Sequence, residues 1–416
     1  MIRKILTFLF LIALCNCHQH NTVDSDIILI DANKKYPALD LKLSDIAEIS
    51  YIPLKTEGVI FGYPGASRRL FVYRDKIFIA DRFRSDPKLI VYDHTGNPIQ
   101  IIGSYGRGPG EYVGLSDFVV DTLTNEVIIY DDHQRKLIVY GIDGKFKREK
   151  SLKEINRDQK QLTAIEMIND NFLLAYNGRS ITVHNKDFNA GDIPVGKAGQ
   201  IVPTGKPIMI IDKQTLTETS SLNFEYAKPG LWDVLCIMYY LTTLREGVYI
   251  TNERSDTIYF MNRNLELIPK FRDVTDYGGL HVARLFPTAE TERYVFFTTE
   301  LGDQQGLIKD FNPIPRKFLV FDKKTQKIFR INNGLSEKRE WDDCSIAMLH
   351  KQIAFNQYTL TLNHNYASTF FSPEFLHEHY NQLPEELKAI TKNLKIDDNP
   401  VVMLIKFKGD SGRPDS

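Results

Sequence analysis

The chain has 416 residues, of which 25% are charged and 43% hydrophobic, as is usual for a globular protein. Its formal net charge of -1 at pH 7 gives no overall field that would attract nucleic acid, so we expect no nucleic-acid partner. Aromatic residues reach 11%, with 20 Tyr and 25 Phe against 2 Trp, and this composition favours β-strands.

The first residues predict an export signal rather than part of the folded domain. Arg3 and Lys4 form a short positive region, and an apolar run from Ile5 to Leu14 follows it. Ten residues rise only about 15 Å as a helix, which is too short to span a bilayer. A positive region followed by a short apolar core is typical of a secretory signal peptide.

Two cysteines follow the apolar run, and this arrangement resembles the lipobox of bacterial lipoproteins. The residue before the cleavage point should be small, and Leu14 before Cys15 is bulkier than Asn16 before Cys17. We therefore predict a signal peptide over residues 1–16, lipidation at Cys17 and a tether over residues 17–40. Lipidation at Cys15 and secretion without an anchor remain alternatives.

An internal repeat is the main evidence for the fold. Lys88–Tyr92 (KLIVY) recurs as Lys136–Tyr140, 48 residues later, and Gly96 and Gly144 follow the two copies at the same offset. Each unit contains four short runs rich in β-branched and aromatic residues, separated by polar turns. A period of this length with four strands is typical of a β-propeller blade.

Weaker copies of the unit lie at 164–192, 234–271 and 281–331, and in the first of these we place strands at 172–176 and 181–184. The last unit has strands at 354–362 and 401–407 but lacks an outer strand at its C-terminal end.

A spare strand-like run, Ile49–Leu54, precedes the first unit. We predict that it pairs with Val401–Phe407 and closes the ring, which removes an open sheet edge. The predicted fold class is therefore all-β, a six-bladed β-propeller over residues 41–408 with a C-terminal tail at 409–416.

Two short helices are predicted inside the last blade. Ser372 followed by Pro373 is a helix N-terminal signal, and Pro384 begins a second short helix that runs to Leu394. Both helices form an insertion in that blade.

Three segments point to a known family: Ala47–Thr56 (AEISYIPLKT), Gly103–Tyr112 (GSYGRGPGEY) and Ser255–Tyr259 (SDTIY). With the strand-turn units, they make the chain resemble the six-bladed, NHL-like β-propeller lipoproteins of gut-type anaerobic Gram-negative bacteria. The resemblance implies a protein held in the cell envelope, at the outer membrane, by a lipid anchor. It indicates architecture and leaves function open, because propellers host unrelated activities.

Two motifs resemble ligand sites at first. Gly106–Glu111 (GRGPGE) is glycine-rich like a phosphate-binding loop, but a strand follows it where such loops need a helix N-terminus. His377 and His379 flank Glu378, but residues two apart on a helix do not share a face. We interpret the first as an inter-blade turn and the second as a surface helix.

Acidic residues end the inner strands of two blades: Asp81 in one, and Asp131 with Asp132 and His133 in the other. Oxygen ligands from different blades would suit calcium. Asp residues that cap turns through nearby N–H groups are the commoner arrangement, and we assign no metal and no cofactor.

Five arginines lie shortly before the expected third strand of successive blades: Arg84, Arg135, Arg179, Arg254 and Arg316. Connections between second and third strands share one face of a propeller, so these guanidinium groups are candidate ligand contacts for a carboxylate or phosphate. The alternative is that each arginine pairs with its own or the next blade.

The long connections, at 197–230, 299–316 and 363–400, also join on that face, and function concentrates on long loops held by a rigid scaffold. We therefore favour a binding or interaction module for a protein or glycan, anchored to the membrane. The alternative is a propeller hydrolase or lyase acting on a lactone or saccharide. No catalytic residue is assigned, because HExxH, CxxC and GxSxG motifs do not occur in the sequence.

Overall fold

The computed structural model describes residues 27–60, 70–82, 85–152, 162–177, 181–184, 200–203, 208–222, 241–243, 246–251, 255–276, 281–303, 316–331 and 366–408. Of residues 163, 177, 181–184, 200–203, 281–284, 300–303 and 316, only the backbone is described.

The N-terminal part of the described chain contains β1 (Ile28–Ile30), β2 (Ala38–Leu39), helix α1 (Leu43–Ile46) and β3 (Ala47–Pro53). Blade 1 consists of β4 (Leu70–Tyr73), β5 (Lys76–Asp81), β6 (Lys88–Asp93) and β7 (Pro98–Ile102). The connection to blade 2 contains β8 (Ser104–Tyr105) and β9 (Glu111–Tyr112). Blade 2 consists of β10 (Asp117–Asp121), β11 (Glu126–Asp131), β12 (Lys136–Gly141) and β13 (Phe146–Ser151).

Blade 3 begins with β14 (Leu162–Met167) and β15 (Phe172–Asn177), and a hairpin of β16 (Ile181–His184) and β17 (Gln200–Pro203) follows. The blade resumes with β18 (Ile208–Asp212) and β19 (Thr217–Leu222). Blade 4 consists of β20 (Leu241–Thr243), β21 (Gly247–Ile250), β22 (Thr257–Asn262) and β23 (Leu267–Asp273). Blade 5 consists of β24 (His281–Glu290), β25 (Tyr294–Asp303), β26 (Arg316–Asp322) and β27 (Lys327–Ile331).

The last described part contains β28 (Tyr366–Phe371), α2 (Pro373–Glu378), a 3-10 turn at Tyr380–Gln382, α3 (Glu385–Thr391) and β29 (Val401–Phe407). Blade 6 is the sheet β28–β29–β3, and blades 1 to 5 each contain four antiparallel strands in chain order. The predicted six-bladed β-propeller with a helical insertion in the last blade is confirmed.

Ring closure occurs as the sequence predicts. β29 and β3 are antiparallel, with Val401 opposite Pro53 and Phe407 opposite Ala47. The strand run predicted at 354–362 lies outside the described residues. The connection predicted over 363–400 is shorter, because its first residues form β28 in the blade and only residues 372–400 connect β28 to β29.

The repeated KLIVY segment is apolar at every position after the lysine because both faces of its strand are covered. Leu89 and Val91 of β6 pack towards blade 2, whereas Ile90 and Tyr92 pack towards blade 6. Successive side chains of a strand point to opposite faces, so a sheet between two neighbours needs a continuous apolar run. The repeated apolar run therefore results from packing on both faces of the strand.

Blade 3 differs from its prediction. The strand expected after β15 was residues 181–184, but β15 pairs with β18 instead, from Phe172 opposite Asp212 to Tyr176 opposite Ile208. Met209 and Ile211 of β18 fill the core between blades 2 and 3. Residues 181–184 form β16, which pairs with β17 in a separate hairpin.

An N-terminal strap, residues 28–46, lines the outside of blades 4 and 5. β1 pairs in parallel with β23, and β2 pairs in parallel with β27. Ile30 and Tyr36 pack between blades 4 and 5, and Leu43 packs between blades 5 and 6. Residues 28–39, which the sequence places in the tether, thus belong to the propeller.

The ring has two distinct faces. The turn face carries the connections from first to second and from third to fourth strands, which span two to four residues where they are described. The loop face carries the connections from second to third strands and from blade to blade. An Asp or Asn side chain accepts backbone N–H groups in the described third-to-fourth turns of blades 1 to 5, at Asp93, Asp143, Asp212, Asn262 and Asp322. Within the described residues, no helix is long and apolar enough to cross a membrane.

Candidate binding face

The loop face carries all the insertions of the described chain. The β16–β17 hairpin interrupts blade 3 between its second and third strands. In blade 5, β25 extends past the end of β26, whose first residue Arg316 pairs with Glu300. The extra residues Leu301–Asp303 pair with His281–Ala283 of β24. Helices α2 and α3 add a third projection from blade 6.

The helical insertion is a packed part of the structure. Ser372 Oγ accepts a hydrogen bond from Phe375 N at 3.2 Å, which caps α2 as the sequence predicts. Leu376 of α2 and Leu387 of α3 are buried in the core shared by blades 5 and 6. Asn399 Nδ2 donates to Lys55 O at 2.9 Å, so the returning chain is tied to the start of the connection between blades 6 and 1.

The two histidines of the insertion do not converge. His377 Nε2 lies 2.8 Å from Leu394 O, and His379 Nδ1 lies 2.9 Å from Phe375 O. This agrees with a surface helix rather than a metal pair. Among the residues that the structure describes, no group of three His, Cys, Asp or Glu side chains is placed to hold a metal ion.

Backbone amide groups of the glycine-rich loop between blades 1 and 2 donate hydrogen bonds to two carboxylates of the protein, one in the loop and one in β13. Gly108 N donates to Glu111 Oε2 at 2.7 Å, and Gly110 N donates to Glu149 Oε2 at 3.1 Å. Gly106 N donates to Tyr112 O at 3.0 Å. The amide groups that a phosphate would need are therefore occupied from within the protein, and the loop is a structural inter-blade connection.

Asp131 has a structural role at the end of β11. Its buried carboxylate accepts hydrogen bonds from Val113 N at 2.8 Å, Gly114 N at 3.1 Å and Gln134 N at 2.9 Å. Gln134 Nε2 donates to the same carboxylate at 2.8 Å and also reaches Glu111 O. This geometry supports the turn-capping interpretation over a calcium ligand.

Arg135 is the one candidate arginine whose side chain the structure describes. It ends the turn between β11 and β12 with a left-handed φ of 53°, on the loop face at the seam with blade 3. Burial raises the pKa of the Tyr130 hydroxyl, and the nearby positive charge of Arg135 opposes that shift. The Tyr130 hydroxyl accepts Leu162 N of blade 3 at 3.2 Å.

The structure does not describe the side chains of the other four arginines, so it does not show whether they lie near Arg135. Arg84, Arg179 and Arg254 lie outside the described residues, and of Arg316 only the backbone is described, as the first residue of β26. Arg179 precedes the β16–β17 hairpin rather than the third strand of its blade, so it is not equivalent to the others. Convergence of the five side chains remains a prediction.

Sequence reasoning missed charged contacts between blades on the turn face. Lys213 Nζ lies 2.5 Å from Asp121 Oδ2, and each side chain is only 3% exposed. Nearby, Arg148 makes a bidentate contact with Glu126 at 2.8 and 2.9 Å and also donates to Lys213 O. These contacts join blade 2 to blade 3. Single charged residues at strand ends give no motif, so the sequence carried no signal for them.

Solved structures of two bacterial proteins are similar to this chain. A Bacteroides fragilis protein with the name "putative exported protein" has a solved structure that matches with a TM-score of 0.57 at 16% identity. The match covers 92% of this chain and 99% of that one. A DUF4221 family member from Bacteroides vulgatus matches with a TM-score of 0.47 at 10% identity, over 87% of this chain and 96% of that one.

No curated protein matches the sequence. The model of one family, described as "Domain of unknown function (DUF4934)", matches residues 26–406, which begins just before the strap and ends in β29. The chain therefore belongs to the DUF4934 family.

Proposed function

We propose that this protein is an exported, lipid-anchored binding module of the bacterial cell envelope that takes a protein or glycan on its loop face. One observation carries the proposal: the two faces of the ring differ in build. The described connections of the turn face have two to four residues, and the loop face carries the hairpin, the extended strands and the helices. Long connections on a rigid scaffold are where binding residues concentrate.

Export is supported by two independent features. Residues 3–14 have the pattern of a signal peptide. A Bacteroides fragilis protein that is named as exported also covers 92% of this chain with a similar fold. Acylation at Cys17 is the finer part of the proposal, and it would hold the propeller at a membrane surface.

The enzymatic alternative has less support. A hydrolase or lyase would need carboxylates free to act as acid or base. Asp131 is saturated with N–H donors, and Asp117 accepts Ile165 N of blade 3 at 2.8 Å. Both are buried and serve the frame of the propeller.

The ligand test uses two matched arginines. Arg135 on the loop face and Arg74 on the turn face both sit in turns with left-handed φ, of 53° and 54°. A panel of acidic and neutral glycans is screened for a rise in melting temperature of the mature protein. Arg135→Ala should reduce the shift given by an acidic ligand, and Arg74→Ala should leave it unchanged. An equal shift in both variants would remove the arginine from the binding face.

The anchor is tested by metabolic acyl labelling. Labelling should be lost in Cys17→Ala and retained in Cys15→Ala. The reverse result would move the lipidation site to Cys15, and labelling of neither parent nor variants would mean that the protein is not a lipoprotein.

A further inference from the structure

The strap determines the side from which the N-terminal chain reaches the propeller. β1 runs parallel to β23, with Ile28 opposite Phe271 and Ile30 opposite Asp273. As the fourth strand of blade 4, β23 starts at the turn face and ends at the loop face. Because β1 has the same direction, Ile28 lies on the turn-face side of Ile30, and the strap begins on that side.

This entry point is firmly held. Ile30 is buried between blades 4 and 5, and its carbonyl accepts Val274 N at 2.9 Å. Ala32 N donates to Thr275 Oγ1 at 2.8 Å, and Asn33 Nδ2 donates to Asp276 O at 2.6 Å. Moving the entry point would break these bonds and expose the core of the seam.

The direction in which the strap enters, and not the length of the tether, favours one orientation, because an extended tether is longer than the strands of a blade. From Cys17 to Ile28 the chain has eleven steps, which reach about 40 Å when fully extended. A seven-residue strand such as β23 spans about 23 Å. To place the loop face at the membrane, the chain would have to reverse at the first described residue and run back past the outside of blade 4.

We infer, on the basis of the proposed lipid anchor, that the turn face lies towards the lipid surface and the loop face points away from it. The turn face suits this place because its described connections are short and internally capped, and its exposed side chains include polar His94 and Lys324 and apolar Leu123. The orientation leaves the insertions of the loop face free to meet a ligand in solution.

The test is energy transfer to a fluorescent acceptor lipid. The acylated full-length chain is placed in vesicles of phosphatidylethanolamine and phosphatidylglycerol, in a background with Cys236→Ala and Cys344→Ala. Single donors are attached through His94→Cys and Lys324→Cys on the turn face, and through Arg107→Cys and Gln382→Cys on the loop face. All four positions are exposed, and melting curves confirm that each variant is folded.

Both turn-face donors should show more transfer than both loop-face donors. A long Gly/Ser insertion between residues 26 and 27 should shrink this difference, because the tether then no longer restricts the orientation. Equal transfer from the two faces would overturn the inference. High transfer from Lys324 alone would also overturn it, because it would mean that the rim of blades 4 and 5 faces the lipid. A parent chain that does not sediment with vesicles would remove the anchor, and with it both proposals.

Discussion

The strap offers a stability test in which two adjacent residues have opposite environments. Ile30 is fully buried against Phe271, Phe297 and Tyr36, whereas Leu29 on the same strand is 55% exposed. Truncating a buried Ile to Ala typically costs about 2–5 kcal/mol through lost burial and the cavity that remains. Truncating an exposed Leu usually changes stability by less than about 0.5 kcal/mol.

The expected shift in melting temperature follows from the size of the domain. Unfolding entropy is about 2.1 cal/mol/K per residue, so a domain of about 380 residues has roughly 0.8 kcal/mol/K. Ile30→Ala should therefore lower the melting temperature by about 2.5–6 °C, and Leu29→Ala by less than about 1 °C. Calorimetry of the mature protein and both variants measures this directly. If the two variants melt within about 1 °C of each other, the strap does not contribute to the core as described.

Two further predictions concern the turn face. A Cβ at Gly96, where φ is +85°, would collide with the carbonyl of Pro53, whereas Gly58, with φ of +77°, has open space around it. Gly96→Ala should therefore lower the unfolding midpoint in urea clearly more than Gly58→Ala, which carries only backbone strain of about 1–2 kcal/mol; equal midpoints would contradict the close blade contact. Hydrogen bonding from Arg293 lowers the pKa of Asp322 to about 2, below its usual value, so this interaction stabilises the fold above about pH 4 and is lost as pH falls through 2. The difference in melting temperature between wild type and Arg293→Ala should be constant from pH 5 to 7 and shrink towards pH 2, and a difference that does not change with pH would refute the role of this pair.

The blade architecture was readable from sequence because two-sided packing leaves a strong local pattern. The repeat of KLIVY at Lys88–Tyr92 and Lys136–Tyr140 reflects strands that are covered on both faces. Ring closure was also readable, since the last blade lacked a strand and Ile49–Leu54 was spare. Both arguments need only local composition and a count.

The strap and the course of blade 3 could not be read in the same way. β1 and β2 contain three and two residues, too few for a periodic pattern, and β1 pairs with a strand more than two hundred residues away. In blade 3, residues 181–184 and 208–212 are both apolar runs of strand type. Only the packing of Met209 and Ile211 against the neighbouring blade selects the second.

The candidate site was predicted at the level of a face and not at the level of contacts. Of the three long connections predicted from sequence, those at 299–316 and 363–400 join strands on the loop face, whereas 197–230 contains β18 and β19 of blade 3. The sequence favoured a turn-capping role for Asp131 over a calcium ligand but did not identify its donors, and Val113 and Gly114 come from a separate connection. Such partners are set by tertiary structure, which one sequence does not reveal.

The central claim, that the loop face is the binding face, is tested most directly by site-specific photo-crosslinking in living cells. A photoreactive amino acid is placed at Arg107 or Gln382 on the loop face and at His94 or Lys324 on the turn face, all exposed positions. Discrete adducts should form from the loop-face positions and not from the turn-face positions. Adducts confined to the turn face, or equal adducts from both faces, would contradict the assignment of the loop face as the surface that meets the ligand.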